Sequence, residues 1–175
     1  LDTYKSAVAE AGIAVGADLI NDIWGLKYDP KMADVIAKAD VACCLMHNRD
    51  NSDYGDFLSE WYQETAECVE LAKKAGIADD RIILDPGVGF GKTYEQNLTT
   101  IKYMDDLKKL GYPLLLGTSR KSVIGLTLDT PVTDRAVGTA VTTVFAVQQG
   151  YAFVRVHDIK VNKQAIQMTK AILNA

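Results

Sequence analysis

The stretch that decides the fold reads Arg81-Ile-Ile-Leu-Asp-Pro-Gly-Val-Gly-Phe-Gly-Lys92. An apolar run with strand propensity ends there in a carboxylate, Asp85, and a glycine-rich turn closed by a lysine follows at once. Enzymes built on parallel sheets place their chemistry at the carboxyl ends of strands. Asp85 is therefore the first candidate for a side chain that binds a ligand.

The same stretch is close to two nucleotide-binding motifs but completes neither. A Walker A loop needs a glycine, four residues and then Gly-Lys-Ser/Thr, and here the required first glycine falls on Pro86. A dinucleotide fingerprint needs G-x-G-x-x-G. Gly87 and Gly89 fit that pattern, but its third glycine position is Lys92. The turn is therefore either a plain connection after a core strand or a ligand-binding turn of another kind.

The bulk composition indicates one globular domain over residues 1–175. The chain is 48% hydrophobic and 24% charged, as single domains usually are. A net charge of -4 and a pI of about 5.2 offer no basic footprint for nucleic acid, and no apolar run approaches the roughly 20 residues of a membrane span. The start of the chain predicts no signal peptide, and Cys43, Cys44 and Cys68 in apolar settings predict a reduced, cytoplasmic protein.

Outward from this stretch, short apolar runs alternate with longer helical patterns. Strands are predicted at 17–23, 41–46, 81–85, 113–117 and 153–157. Helices are predicted at 3–12, 30–38, 57–75, 94–110, 133–149 and 161–174, with Asp29 as an N-cap of the second. Five strands and six helices in strict alternation predict an α/β fold with a parallel sheet and crossover helices.

Two architectures fit this alternation: an open doubly wound sheet, and a (β/α)8 TIM barrel that lacks about its first three strands. A whole barrel needs about 250 residues, so three βα units are the natural shortfall. Polar groups follow five different strands: Asn21, His47, Asp85, Ser119 with Lys121, and Arg155 with His157. A barrel gathers such groups around one mouth, whereas an open sheet concentrates function near one switch point. The sequence therefore favours the barrel.

The last two predicted strands are followed by cations and hydroxyls. Gly117-Thr-Ser-Arg-Lys-Ser122 supplies two cations, three hydroxyls and a glycine, and Arg155 and His157 are spaced to share one side of a strand. Phosphate sites of barrels frequently follow strands 7 and 8. We expect an anion-binding site here.

Acidic and amide groups follow the earlier strands instead. Asp2, Asn21 and Asp85 suit a heterocycle that carries N–H donors and a carbonyl, because a carboxylate accepts two N–H bonds and an amide donates and accepts at once. The apolar candidates for the walls of the ring pocket are Ile23, Met46 and Phe90. The residues thus predict a pocket with a polar heterocycle at one end and an anion at the other.

These motifs together resemble those of the dihydropteroate synthase family. The matching segments are Asp2-Thr-Tyr-Lys5, Asn21-Asp-Ile-Trp-Gly25, Leu45-Met-His47, Asp85 to Lys92, Gly117 to Ser122, and Arg155-Val-His-Asp158. They spread over nearly the whole chain in the family's order. The resemblance implies a (β/α)8 barrel, usually a homodimer, and a transferase of folate biosynthesis that is the target of sulfonamides. Such an enzyme joins p-aminobenzoate to 6-hydroxymethyl-7,8-dihydropterin diphosphate, assisted by Mg2+, and releases diphosphate and 7,8-dihydropteroate.

The resemblance also implies roles for individual residues. The pterin would be held by Asp2, Asn21, Ile23, Met46, Asp85, Gly117 and Lys121. The p-aminobenzoate pocket would be formed by Phe90, Lys121 and Ser122, and the diphosphate would be held by Arg155 and His157. Asp85, Lys121, Arg155 and His157 would be the catalytic groups. None of these residues is expected to ligate the metal, because the Asn that usually does so belongs to the absent strands.

Departures from the family pattern leave two alternatives. Val123 stands where the family usually has Phe, and Asn48-Arg-Asp-Asn51 stands where a Met-Gln-Gly type sequence is common. The first three strands, with two mobile loops, are absent. A pterin-binding methyltransferase domain of the corrinoid type would share the Asp/Asn set but has no diphosphate to bind. A catalytically silent fragment would keep some pterin or anion affinity without turnover.

Overall fold

Five strands alternate with seven helices in the computed structural model, which describes residues 1–175. The strands are β1 Leu19–Asp22, β2 Ala42–Met46, β3 Ile82–Asp85, β4 Leu115–Leu116 and β5 Phe153–Val154. The helices are α1 Ser6–Ala14, α2 Met32–Ala39, α3 Phe57–Lys74, α4 Tyr94–Tyr103, α5 Ser122–Leu128, α6 Ala136–Gln148 and α7 Ile159–Leu173. Short 3-10 helices occupy Asp79–Arg81, Met104–Leu110 and Val132–Asp134. The predicted α/β class with parallel strands is confirmed.

The order of the strands in space follows their order in the chain. β1, β2 and β3 form one parallel sheet and β4 and β5 another. A parallel bridge between Leu84 and Leu114 joins the two, and Asp2 bridges Asn21 at the outer edge of β1. A doubly wound sheet reverses its strand order at a switch point, and this sheet has no reversal. The βα units therefore follow one another in a single direction.

The prediction of six helices is one short, because it contains no helix at the position of α5. Helix α5 is only seven residues long, and Lys121 precedes it without a side-chain cap. Its sequence contains a glycine and three β-branched residues, which are poor helix formers. Gly125 lies directly against Arg135, since a Cβ built at this position would overlap the guanidinium of that residue. Tertiary contacts, and not local propensity, specify this helix.

The last two strands are shorter than predicted. β4 and β5 have two residues each, where five each were expected. β5 pairs with β4 alone, and Phe153 is 47% exposed. Arg155 and His157 consequently lie beyond the strand, although the Arg155 N–H still donates to the carbonyl of Leu116 at 2.9 Å.

Smaller corrections concern the ends of helices. α2 begins two residues after Pro30, and the Asp29 carboxylate caps the turn before it by accepting the N–H groups of Lys31 and Ser6 at 3.0 and 2.8 Å. The segment 94–110 is divided between α4, which has a capping box at Thr93, and the 3-10 helix that follows. These differences of a few residues leave the site unchanged.

Helix α3 packs on the sheet and carries the centre of the core. Trp61 is fully buried among side chains from α1, α2 and the first three strands. The three cysteines are buried and free, as expected of core residues. None of the seven helices has the length and apolar character needed to cross a membrane.

Candidate substrate-binding site

The carboxyl ends of the strands converge on one mouth. Asp2 bridges Asn21 beside β1, and Asp2 Oδ2 lies 3.4 Å from Arg155 Nη1, which follows β5. Gly117 lies between the two ends, because a Cβ built on it would lie 3.3 Å from Asp85 Oδ2 and 3.2 Å from Arg155 Nη2. The structure therefore brings together the acidic and the basic candidates that the sequence placed on different strands.

Two buried polar atoms at this mouth have no protein partner. Asp85 Oδ1 accepts the N–H of Gly87 at 2.8 Å, but Asp85 Oδ2 and Asn21 Nδ2 are buried without a hydrogen bond. Unpaired buried polar atoms cost free energy and are rare. One acceptor and one donor thus remain available to a ligand that itself carries donors and acceptors.

The charge of Asp85 is set by opposing effects. Burial raises the pKa of its carboxyl above 3.8, while the ammonium of Lys121, the N–H of Gly87 and the guanidinium of Arg155 act in the lowering direction. Desolvation is the largest effect. A ligand that donates to the carboxylate would offset that desolvation.

The turn after β3 is held at almost every backbone group. Gly87 has a φ of +72°, and a Cβ on it would lie 1.9 Å from the carbonyl oxygen of His47, so only glycine fits. Three side chains from outside the turn bond its backbone. Trp61 Nε1 donates to the carbonyl of Pro86 at 2.9 Å, and the Tyr54 hydroxyl donates to the carbonyl of Gly91 at 2.9 Å. Asn97 Oδ1 accepts the N–H of Gly89 at 2.5 Å. The turn is a rigid part of the site.

Lys121 covers the turn from the mouth. Its ammonium donates to the carbonyl of Val88 and lies 4.4 Å from the centre of the Phe90 ring. Burial lowers the pKa of Lys121 to about 8, although the nearby Asp85 acts in the raising direction. Ser122 follows at the exposed start of α5. Phe90, Lys121 and Ser122 therefore share one side of the mouth.

A small pocket of 180 Å³ marks the basic end. It is lined by Gly117, Ser119, Lys121, Arg155, Val156 and His157. The Ser119 hydroxyl accepts the His157 N–H at 3.0 Å and lies 2.9 Å from its Nδ1. Arg155 and His157 are both exposed, so they are accessible to a ligand.

Arg120 does not line the basic pocket, although the sequence indicated it as a second candidate cation for an anion site. Its Nε and Nη2 donate to the two carboxylate oxygens of Asp158 at 3.0 and 2.7 Å. This bidentate pair occupies the planar face of the guanidinium. Of the two cations in Gly117–Ser122, only Lys121 lines the pocket.

His47 points away from the mouth, which corrects its expected place there. The side chain is buried, and its Nε2 lies 2.9 Å from Glu64 Oε2 on α3. Burial, followed by the nearby charge of Lys92, lowers the pKa of His47 to about 2. Arg49 completes the network with Nε 2.8 Å from Glu64 Oε1 and Nη2 2.7 Å from Glu60 Oε2.

In this network, the segment after His47 is tied to α3 through Arg49. Arg49 needs acceptors, and Glu60 and Glu64 supply them from positions i and i+4 on one face of α3. Sequence reasoning missed Lys92 and the two glutamates as part of the site. The spacing of four residues between Glu60 and Glu64 on a predicted helix indicates two carboxylates on one face, and this was the signal that could have identified them.

The apolar candidates occupy different depths. Met46 is fully buried and pairs in register with Asp85, whereas Ile23 and Phe90 are partly buried. No group of three or more His, Cys, Asp or Glu side chains could hold a metal ion.

Comparison with known proteins identifies the family. A family model described as "Pterin binding enzyme" matches residues 1–157. The chain is 54% identical over 174 residues to the dihydropteroate synthase of Clostridium beijerinckii. Its fold matches solved structures of dihydropteroate synthases. The structure from Clostridium difficile with pteroic acid has a TM-score of 0.95 and 46% sequence identity to this chain. The structure from Yersinia pestis with a pterin-sulfa conjugate has a TM-score of 0.94 and 36% sequence identity. The chain belongs to the pterin-binding enzyme family.

The matches cover this chain almost completely and the relatives only in part. The match to the C. beijerinckii protein covers 99% of this chain and 65% of that protein. The match to the C. difficile structure covers 98% of this chain and 65% of that one, and the match to the Y. pestis structure covers 99% of this chain and 68% of that one. The chain therefore spans a little under two thirds of the length of the curated relative.

Proposed function

We propose that this chain is the greater part of a dihydropteroate synthase of folate biosynthesis. The whole enzyme would condense p-aminobenzoate with 6-hydroxymethyl-7,8-dihydropterin diphosphate to 7,8-dihydropteroate and diphosphate. The observation that carries the proposal is the unpartnered pair of Asp85 Oδ2 and Asn21 Nδ2 at the same mouth as Lys121 and Arg155. The names of the similar proteins support it.

The corresponding fold is a (β/α)8 barrel to which residues 1–175 contribute five strands as a single domain. The unreversed strand order supports this proposal, because consecutive parallel strands are what a barrel closes from. So does the high TM-score to a chain of which this one covers 65%. The remaining strands would continue from the segment Leu1–Thr3, which already pairs with β1, and would pair with the open side of β5.

The pterin ring would lie on the acidic side of the mouth. The Asp85 carboxylate can accept two N–H groups of an aminopyrimidinone edge, and Asn21 can donate to its carbonyl. Asp2, Ile23, Met46, Gly117 and Lys121 would complete its surroundings. The C. difficile relative was crystallised with pteroic acid and the Y. pestis relative with a pterin-sulfa conjugate, which supports a pterin site and a sulfonamide-sensitive pocket.

The reaction would break the bond between the pterin methylene carbon and the diphosphate oxygen. Arg155, His157 and Lys121 would stabilise the negative charge that grows on the departing diphosphate. Asp85 would stabilise the positive charge left on the pterin methylene. The amine of p-aminobenzoate, placed beside Phe90, Lys121 and Ser122, would then form the new C–N bond and lose a proton to solvent.

The described residues do not fit the Mg2+ that the family implies. The mouth offers Arg155, Lys121 and His157 around the anion pocket, and a cluster of acidic or imidazole ligands is lacking. Cations repel a divalent metal, so no step is assigned to Mg2+ through these side chains. Mg2+ as a cofactor of the whole enzyme is part of the proposal only through the strands beyond residues 1–175.

A homodimer in the cytoplasm is also part of the proposal. An apolar groove of 540 Å³ lies between α4, α5 and α6. The exposed apolar side chains that line it are Leu98, Leu128, Val141 and Phe145. Contiguous apolar surface of this kind marks interaction sites, and a second copy would cover it.

The corrinoid-type methyltransferase is not favoured, because the similar proteins from Clostridium beijerinckii and Bacillus subtilis are dihydropteroate synthases. A methyl donor also carries no diphosphate for the basic pocket to bind. The other alternative, a catalytically silent fragment, would bind the same ligands as the synthase but would not form product. Intact mass and calorimetric titration with 6-hydroxymethylpterin diphosphate and Mg2+ test the proposal. Binding by a 19.1 kDa chain would support the pterin site, and binding without turnover would favour the fragment. No binding by a longer chain that includes residues 1–175 would overturn the synthase.

A further inference from the structure

Lys92 lies partly buried beneath the glycine turn, and its ammonium has three partners. Nζ is 3.0 Å from the carbonyl oxygens of Gly87 and Phe90 and 2.8 Å from His47 Nδ1. An ammonium has three N–H donors and no acceptor. These contacts use its whole capacity, so Lys92 has no donor left for a ligand, although it lies beside the mouth.

His47 holds Lys92 from behind. Since the imidazole is neutral, with a pKa lowered to about 2 by burial, one ring nitrogen donates and the other accepts. Nε2 lies 2.9 Å from the Glu64 carboxylate, which can only accept, so Nδ1 accepts from Lys92. Arg49 in turn fixes Glu64 at 2.8 Å. The imidazole that holds the ammonium is therefore tied to helix α3 through Glu64.

The opposite side of the same turn belongs to the mouth. Lys121 donates to the carbonyl of Val88 and lies 4.4 Å above the Phe90 ring. Both contacts depend on where residues 87–90 lie. Lys92 donates to the first and the last carbonyl of this segment from the opposite side. Displacement of the turn would move the Phe90 ring and the acceptor of Lys121 together.

Asp85 is fixed mainly by the sheet, although its Oδ1 also accepts the N–H of Gly87. It is paired in register with Met46 in the sheet, and its carbonyl accepts the backbone N–H of His47 at 3.1 Å. The pterin end of the site is thus built on strands, and the other end is built on a turn. A change in the turn should affect the two ends unequally.

We propose that Lys92 is a positioning residue that fixes the turn over residues 87–90 and, through it, the Phe90 and Lys121 side of the mouth. The ligand assigned to that side, p-aminobenzoate, rests on the proposed synthase function. The effect on the turn itself does not.

Amide hydrogen exchange of the purified chain tests the effect on the turn. Lys92→Met keeps the aliphatic stem and removes all three donors, and Lys73→Met is the matched control on the exposed end of α3. We expect exchange over residues 87–91 to accelerate at least tenfold in Lys92→Met alone, with residues 82–85 unchanged. Equal exchange in wild type and Lys92→Met, or equal acceleration in β3, would overturn the proposal.

Calorimetric titration tests the ligand split. For Lys92→Met we expect the affinity for p-aminobenzoate, measured with pterin and diphosphate present, to fall at least tenfold more than the affinity for 6-hydroxymethylpterin diphosphate, because Asp2, Asn21 and Arg155 lie outside the turn. Equal loss of both ligands would contradict the split. If the wild-type chain binds neither ligand, the synthase proposal and the ligand split fail together, while hydrogen exchange still decides the role of Lys92 in the turn.

A second variant covers the case in which Lys92→Met does not fold. Lys92→Cys can be alkylated with 2-bromoethylamine, in which the thiolate displaces bromide and leaves a thioether that ends in an ammonium. Cys43, Cys44 and Cys68 do not compete in the folded chain, because all three are buried and burial raises the pKa of each thiol. If alkylation of Lys92→Cys restores slow amide hydrogen exchange over residues 87–91, the proposal is supported. If exchange there stays fast after alkylation, the proposal is overturned.

Discussion

Asp2 and Arg155 belong to opposite ends of the chain, and their side chains meet at the mouth of the sheet. Asp2 Oδ2 and Arg155 Nη1 are 3.4 Å apart, although the residues are separated by 153 positions. Because Asp2 pairs beside β1 and Arg155 follows β5, the contact reaches from one edge of the sheet to the other. The strands therefore curve strongly enough to place an acidic and a basic group in one site, as the strands of a barrel do.

Arg155 should matter for anion binding and not for folding. The side chains of Arg155 and Asp2 are 42% and 61% exposed, and exposed ion pairs contribute about 0–1 kcal/mol. For Arg155→Ala we expect an affinity for inorganic diphosphate at least about tenfold lower, since a hydrogen bond to a charged group is worth about 1.5–3 kcal/mol. Isothermal titration calorimetry measures this.

Arg81→Ala is the matched control for this prediction. Arg81 is also 42% exposed and also pairs with an aspartate, Asp40 at 3.2 Å, but it lies before β3 at the far end of the strand. We expect its removal to leave diphosphate affinity unchanged. A comparable loss in both variants would mean that net charge, and not the pocket, attracts the anion.

Asp85→Asn should separate stability from ligand binding. The pKa of Asp85 is raised by burial, so this carboxyl stabilises the fold at low pH, and its contribution is lost as pH rises through the folded pKa. An amide keeps the acceptor for Gly87 and removes the buried charge. We expect urea unfolding at pH 7 to show equal or higher stability, with pterin affinity at least about tenfold lower. A large loss of stability at pH 7 would show that the charge is needed to pair with Lys121.

A local rule is sufficient to predict which side chains lie at the carboxyl ends of the strands. The carboxyl end of a strand identifies Asp85 and Asn21, because parallel strands all present that end to one mouth. Two neighbouring cations, Arg120 and Lys121, could not be distinguished in this way. Their roles depend on Asp158, which is 38 positions from Arg120 in the chain and reaches it only in the folded protein.

The same limit explains His47 and α5. His47 follows β2 as a mouth residue would, but an acceptor on α3, Glu64, and a donor after β3, Lys92, turn its ring inward. Helix α5 has weak helix formers and no cap, so packing against Arg135 decides its conformation. Side-chain direction and packing-dependent helices are tertiary properties that periodicity does not contain.

Lys121 should make anion binding sensitive to alkaline pH. Burial lowers its pKa to about 8, so the ammonium is present below that pH and is lost above it. Binding of sulfate, which does not itself titrate in this range, should weaken between pH 8 and 9.5 by up to about tenfold per pH unit. Lys121→Arg should bind with little dependence on pH over this range, since a guanidinium stays charged. Equal pH profiles for the two proteins would exclude Lys121 as the titrating group.

Gly87 and Gly76 provide a matched pair for the rigid turn. Both have a positive φ, +72° and +87°, but a Cβ on Gly87 would lie 1.9 Å from the His47 carbonyl oxygen, and one on Gly76 would meet nothing within 4 Å. Gly76→Ala should cost about 1–2 kcal/mol from backbone strain alone. Gly87→Ala should cost about 4 kcal/mol or more, because the backbone must also move. Urea denaturation compares them, and similar losses would show that the turn yields easily.

His47 should make the fold sensitive to acid. Its pKa is about 2 in the folded chain against an ordinary 6.5, so below pH 6.5 the unfolded chain binds a proton that the folded chain does not. Stability from this group is therefore complete above pH 6.5 and falls by about 1.4 kcal/mol per pH unit as pH decreases toward 2. Urea unfolding between pH 7.5 and 4.5 should show this slope in wild type, and His47→Gln should lack it.

The other histidine gives the control for this slope. His157 is exposed at the mouth, so His157→Gln should keep the wild-type decline in acid. His47→Gln should be less stable than wild type at pH 7, because Lys92 loses the imidazole acceptor 2.8 Å away. The difference in free energy of unfolding between wild type and His47→Gln should shrink by about 2–3 kcal/mol between pH 6.5 and 4.5. Parallel curves would mean that His47 is protonated in the folded chain. Its Nδ1 would then be unable to accept from Lys92, and the support of the glycine turn from α3 would have to come through another contact.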